Sequence, residues 1–160
     1  MASERGSRDL YAVHGQAIYR IIRGIVLDAA VADQLTDRTF EAAAPSLRAA
    51  AGAGSTRLAL HRLAVRAAIR HLRRRGLLRL LRGPVAPVEA RSLAAQALGA
   101  LSAEQRALVM LSLQAGMTHD EIASILGVRP GAVASRLRAA RLHMRQALSG
   151  AEPDALIVGE

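Results

Sequence analysis

Apolar side chains recur along residues 9–27 at Leu10, Val13, Ala17, Ile18, Ile21, Ile22 and Ile25. Spacings of three and four place them on one face of a helix. Asp9 stands where an N-cap would. Asp28 marks a break, and the pattern predicts a second helix over 30–44, stopped by Pro45, because the residue before a proline is pushed out of helical geometry. Residues 49–56, AAAGAGST, are small and read as a loop ending at Ser55 or Thr56 as an N-cap. A long helix follows over 57–81, with Leu58, Leu63, Ile69 and Leu72 able to face a core and Gly76 a candidate interruption.

GPVAP at 83–87 cannot continue a helix, since it combines two prolines with a glycine. The apolar patterns before and after it are separate. The predicted organisation is a domain at 9–82, a linker at 83–98 whose last residues lead into a second domain at 99–149, and a loose tail at 150–160. In the second domain Ser102 caps a helix that Gly116 ends. Thr118 and Glu121 stand three apart, as in a capping box. Gly127 closes that short helix, and Pro130 suits the first turn of a last helix over 130–148.

Composition supports this all-α reading: the chain is 51% apolar, rich in Ala and Leu, with one Phe and no Trp. Charge changes the picture more. The formal net charge is +9, and all 22 basic residues are arginine. G+C-rich coding accounts for the choice of Arg over Lys but not for the excess of positive charge, which suits a polyanion partner. Nine arginines fall in 57–82 with no acidic residue among them. Such a one-signed, unpaired face repels itself without an anionic partner. Duplex DNA, with one charge per about 1.7 Å of axis, would supply one. Arg57, Arg62, Arg66, Arg70, Arg73 and Arg74 are the candidate phosphate contacts; the plainer alternative is a solvated charged face.

Residues 121–141, EIASILGVRPGAVASRLRAAR, carry the sharpest motif. A DNA-binding helix-turn-helix needs two short helices crossing steeply. Ala123 is small enough for the crossing, and Gly127 tolerates the positive φ of the turn. Ile122, Leu126, Val128, Val133 and Leu137 can pin both helices to one core. The second helix would present Arg129, Gly131, Ala132, Ala134, Ser135, Arg136 and Arg138 to the major groove, with Arg141 one turn further on. Arg136 has a structural alternative, bonding back to Glu121 or a helix end. A plain helical hairpin with a basic face is the rival to the whole motif.

On these residues the second half resembles region 4 of the bacterial sigma-70 family, in its small extracytoplasmic-function (ECF) type. The family's L-P/S-x-x-x-R segment stands here as Leu101, Ser102 and Arg106. Its E-I-A-x-x-L-G-V stands as Glu121, Ile122, Ala123, Leu126, Gly127 and Val128. Its T-V-x-S-R-L-x-R-A-R stands as Val133, Ser135, Arg136, Leu137, Ala140 and Arg141. The family's Thr and Lys are replaced by Ala132 and Ala134, which implies a weakened or altered −35 recognition. The first half is similar to region 2. LYAVHGQAIYRIIRGIV resembles its first helix, and ADQLTDRTF resembles the A-E-D-L-V-Q-E-T-F segment that grips the β′ clamp helices of RNA polymerase. The resemblance thus implies polymerase contacts at Asp33, Gln34, Leu35, Asp37, Arg38 and Phe40. Arg38 replaces an acidic residue and should weaken docking. LAVRAAIRHLRRR resembles the end of region 2, which places the arginines of 57–74 near a −10 element. The aromatic residues that usually precede it are missing.

The function implied is that of an ECF-like sigma factor: it binds core RNA polymerase through the β′ clamp helices and the β flap, and directs it to double-stranded promoter DNA. An anti-sigma factor is a partner of many relatives. Two other accounts stay open: a stand-alone regulator of the LuxR type, and a degenerate sigma-like interaction protein that docks but cannot open DNA. No enzyme is expected. The five histidines show no metal spacing, and no phosphate-binding glycine motif occurs, so neither catalytic residue, metal nor cofactor is called for. Without cysteine, a leader-like N-terminus or a stretch of about 18 uncharged apolar residues, the expected location is cytoplasmic, with no membrane contact.

Overall fold

The computed structural model describes residues 2–47, 53–82 and 92–149, all of it helix and short connections. The order is α1 (Ala2–Val26), α2 (Ala29–Leu47), α3 (Ala53–Arg82), α4 (Leu93–Gly99), α5 (Ala103–Leu113), α6 (His119–Leu126) and α7 (Pro130–Ser149). Helices α1 to α3 pack on one another as a three-helix group. Helices α4 to α7 form a second, smaller group in which α7 lies against α4, α5 and α6. The segment 83–91, where the linker was expected, and residues 150–160, expected to be loose, lie outside the described residues, as does most of the loop expected at 49–56.

In the first group the predicted stripe of α1 is the buried one: Ile18, Ile21, Ile22 and Ile25 are all at 1% exposure or less. They meet Ala32, Leu35, Phe40 and Ala43 of α2, and Leu60, Ala64, Val65 and Ala68 of α3. Two buried hydroxyls on α2 satisfy themselves along the helix. Thr36 donates to the Ala32 carbonyl and Thr39 to the Leu35 carbonyl, both at 2.7 Å. The turn between α1 and α2 is tight. Leu27 takes a left-handed φ of 59°, unusual for a residue with a branched side chain, and the Asp28 carboxylate accepts from the Val31 N–H at 3.1 Å.

Helix ends in the first half depart from the expectations. α1 begins at Ala2, so Asp9 lies inside it and is no N-cap. α2 runs through Pro45 to Leu47. So close to the C-terminal end, a proline forfeits a single hydrogen bond to the carbonyl four residues back, and the helix tolerates it. α3 begins at Ala53, with Ser55 and Thr56 already in its first turn, and it passes Gly76 without a break. In the second half the local signals hold. Ser102 caps α5 in a full capping box with Gln105, and Thr118 caps α6 in another with Glu121. Gly127 closes α6 at φ 68°. Helix α5 itself stops at Leu113, and Gly116, at φ 58°, sits in the turn that follows. Residues 93–99, assigned to the linker, form α4, which buries Ala97.

The two groups share one hydrophobic core. Its centre is the crossing of α1 and α5, where Gly24 lies under Met110. A Cβ built on Gly24 would collide with the Met110 thioether. Beside the crossing, Arg106 of α5 binds three backbone carbonyls. Its Nη1 donates to Ile25 at 2.8 Å, its Nε to Leu98 at 2.8 Å and its Nη2 to Gly99 at 3.4 Å. These carbonyls lie at the C-terminal ends of α1 and α4, where the helix dipole favours a cation.

His61 is the other buried polar group near this seam, at 3% exposure. Its Nδ1 donates to the Arg57 carbonyl at 2.8 Å, and Nε2 has no partner. Burial pushes its pKa below 6.5; the charges of Arg57 and His14 push the same way, against the Arg57 carbonyl and Glu121. The folded protein therefore holds fewer protons here than the unfolded chain. The stability this contributes is whole above about pH 6.5 and is lost as pH falls through the lowered value.

Two outcomes are expected. Gly24→Val should overpack the α1–α5 crossing and cost about 1–3 kcal/mol in urea unfolding; a loss under about 0.5 kcal/mol would mean that Met110 simply swings aside. His61→Met should flatten the fall of Tm between roughly pH 7 and pH 5.5 that the parent shows. Parallel curves for the two proteins would remove His61 as its source.

Candidate nucleic-acid interface

Helix α7 is amphipathic because Val133, Leu137 and Ala140, three and four apart, turn inward and are buried. Gly131, Ser135 and Arg138 recur at the complementary spacing on the opposite side, and all three are exposed. Arg129, just before the helix, and Arg141 are exposed too, while Ala132 and Ala134 are half-buried flank positions. The Ser135 hydroxyl donates back to the Ala132 carbonyl at 3.0 Å. The turn from α6 to α7 is made by Gly127 in its left-handed conformation and by the bond from the Val128 N–H to the Ala123 carbonyl at 3.1 Å. Thus the outward stripe of the second helix is small near its start and cationic at Arg138, a shape that can approach a groove closely.

Arg136 does not belong to that stripe. It faces a cleft between α3 and the helix-turn-helix, together with Arg66, Arg70 and Arg73. Nor does it bond to Glu121, the structural alternative raised from the sequence: that carboxylate is taken by Arg57 at 2.5 Å. The Thr118 backbone N–H first, and Arg57 with it, hold the Glu121 carboxyl below the usual carboxylate range.

The arginines of α3 divide into two sets. Arg57 binds Glu121 and donates to the Ala115 carbonyl; Arg62 donates to the Ser124 hydroxyl at 2.7 Å; Arg73 pairs with Glu104 at 2.8 Å. Arg75 approaches Asp28 at 3.9 Å. The expectation of an unpaired, one-signed face is therefore corrected. α3 has no carboxylate of its own, but the starts of α5 and α6 bring Glu104 and Glu121 against it. Arg66, Arg70 and Arg74 form the second set, exposed to solvent. Glu104 and Ser124 were missed as partners from sequence. The available signal was that helix starts collect acidic side chains, and that a helix of arginines must find its carboxylates elsewhere.

On α2, Asp33, Gln34, Asp37 and Arg38 are exposed and share one face. Leu35 and Phe40, grouped with them from the sequence, turn inward at 7% and 5% exposure. Their place is the core, where Tyr11 packs over Phe40 with ring centroids 4.8 Å apart. The Tyr11 hydroxyl approaches Asp37 at 3.4 Å; partial burial, then the Asp37 charge, raises the Tyr11 pKa.

No group of three or more His, Cys, Asp or Glu gathers as a metal site among the described residues. No described helix is long and apolar enough to cross a membrane.

Residues 91–144 match the family model described as sigma-70, region 4. No curated protein matches the chain. Among solved structures, the sigma factor RpoE in complex with the anti-sigma factor NepR from Bartonella quintana is similar, with a TM-score of 0.72 and 19% identity over 89% of this chain and 96% of that one. CnrH in complex with the cytosolic domain of CnrY is similar at a TM-score of 0.69 and 25% identity, over 92% of this chain and 90% of that one. The second half thus carries a match to sigma-70 region 4 on its helix-turn-helix, and the fold through both halves is similar to that of the sigma factor RpoE and of CnrH.

Proposed function

We propose that this protein is a sigma factor that binds core RNA polymerase in the cytoplasm and directs it to promoters. The observation that carries the proposal is the pairing, in one chain with the sigma-factor fold, of a solvent-facing α2 surface and a helix-turn-helix with an open outward stripe. In this reading Asp33, Gln34, Asp37 and Arg38 meet the β′ clamp helices, while the second domain meets the β flap. Arg129, Gly131, Ser135, Arg138 and Arg141 approach the −35 element, with Ala132 and Ala134 giving a looser base readout than longer polar residues would. Arg66, Arg70 and Arg74 contact phosphates near the −10 element. Arg57, Arg62 and Arg73 join them only when α3 parts from α5 and α6, because their hydrogen-bonding groups are engaged across the seam. Engagement of polymerase separates the halves in this account.

Both similar structures are complexes: RpoE with the anti-sigma factor NepR, and CnrH with the cytosolic domain of CnrY. An anti-sigma protein is accordingly the proposed regulator here. A stand-alone LuxR-type regulator is the weaker reading, since it leaves the α1–α3 group without a role. A degenerate sigma-like protein is favoured by two specific features: Arg38 on the exposed face of α2, and the alanines at 132 and 134.

The deciding experiment is binding of the labelled protein to purified core RNA polymerase by fluorescence anisotropy, followed by promoter opening on a supercoiled template. Binding that tightens with Arg38→Glu is expected. No binding at micromolar polymerase would leave a stand-alone DNA-binding regulator, and binding without opening would leave the degenerate form. On duplex DNA, Arg138→Ala should weaken affinity and lower the salt slope by about 1. An unchanged slope would take Arg138 off the phosphate backbone.

A further inference from the structure

The cleft between α3 and the helix-turn-helix has a volume of about 890 Å³, near the top of the roughly 300–1,000 Å³ typical of ligand sites. Its floor is apolar, built by Val65, Ile69, Leu108, Ile125, Leu126 and Val128. Its rim is cationic. Glu104 already holds Arg73, so the guanidinium groups of Arg66, Arg70 and Arg136 are held by no carboxylate among the described residues. An apolar floor under an arginine rim suits an occupant that carries aliphatic side chains and carboxylates together. Nucleic acid offers the charge but not the aliphatic groups.

The chain contains such a segment. Residues 151–160 read AEPDALIVGE: three carboxylates at Glu152, Asp154 and Glu160, no basic residue, and the run Leu156, Ile157, Val158. In a chain of net charge +9, this stretch is complementary to the rim. The reach is adequate. Gln105 in the cleft wall bonds the His143 side chain at 3.1 Å, so α7 beyond Arg136 still passes beside that wall. From Arg136 to Ser149 is 13 residues of helix, roughly 20 Å at about 1.5 Å per residue. Eight residues beyond Ser149 span up to roughly 26 Å at about 3.3 Å each, enough to bring Ile157 back to Arg136. Tethering supplies an effective concentration of order millimolar, so even a weak intrinsic affinity suffices.

We propose that residues 151–160 dock in this cleft as a built-in acidic plug, with Leu156, Ile157 and Val158 on its floor and the flanking carboxylates of Asp154 and Glu160 against the rim of Arg66, Arg70 and Arg136. The docking does not depend on the function proposed above. Its consequence does: the plug covers arginines that DNA would otherwise use, and the protein restrains its own DNA binding.

The chain has no cysteine, so paired thiols can be placed cleanly. Ile69→Cys with Ile157→Cys, oxidised in dilute solution, should form an intramolecular disulfide faster than a control pair of Val13→Cys, exposed on α1, with Ile157→Cys. Adding Arg66→Ala and Arg70→Ala should slow it, with circular dichroism confirming that each variant is folded. Equal rates for the two pairs would overturn the proposal. So would disulfides formed only between chains, which would assign the cleft to a second copy. Replacing Leu156, Ile157 and Val158 by serine keeps every charge; this variant should bind a fluorescent nonspecific duplex roughly 2- to 10-fold more tightly. A fast disulfide with unchanged DNA affinity would put the segment near the cleft without covering its arginines, and would also overturn the plug. If no variant binds duplex at all, the claim that the plug restrains DNA binding fails, and the disulfide rates alone decide the docking.

Discussion

The structure depends on the crossing of α1 and α5. Gly24 lets the two helices approach, Met110 fills the space that a side chain would have taken, and Arg106 closes the edge by binding carbonyls from both halves of the chain. An arginine suits this task because its planar fork donates in several directions and cannot lose its charge. Its placement also answers a requirement of the backbone. The last carbonyls of α1 and α4 have no partner within their own helices, and buried carbonyls left unmet are costly. Without this junction the chain would be two small helical groups, each with an uncovered apolar side.

That junction sets the electrostatics of α3. Once α5 and α6 lie across it, their acidic first turns fall against its arginines. Glu121 serves twice: it closes the capping box with Thr118 and receives Arg57. Glu104 and Ser124 take Arg73 and Arg62. These contacts are partly or fully solvated, so each contributes little and weakens with salt. Weak, screened contacts of this kind hold two halves in register without preventing their separation.

What was legible in the sequence follows the range of the interaction. Capping boxes at Ser102 and Thr118, the left-handed glycine at 127 and the proline at 130 act over three or four residues, and each is where the pattern put it. The inward stripes of α1 and α7 were readable for the same reason, since helical periodicity needs no knowledge of the partner. Helix ends in the first half were less legible. Pro45, Ser55 and Gly76 are signals with small energies, and packing of an amphipathic face outweighs them. The resemblance groups Leu35 and Phe40 with the polymerase contacts, but a resemblance does not carry burial, and theirs belongs to the three-helix packing.

By itself the sequence determined an all-α chain, the helix-turn-helix with its capping and turn residues, and a large excess of arginine. Only the tertiary structure decided which arginines are free. Arg57, Arg62 and Arg73 are engaged, Arg136 turns to the cleft, and Arg138 faces outward. The physical reason is that capping and periodicity are local and additive along the chain. The pairing of a charge depends on which carboxylates other helices carry to it, and that is settled only when Gly24 and Met110 meet.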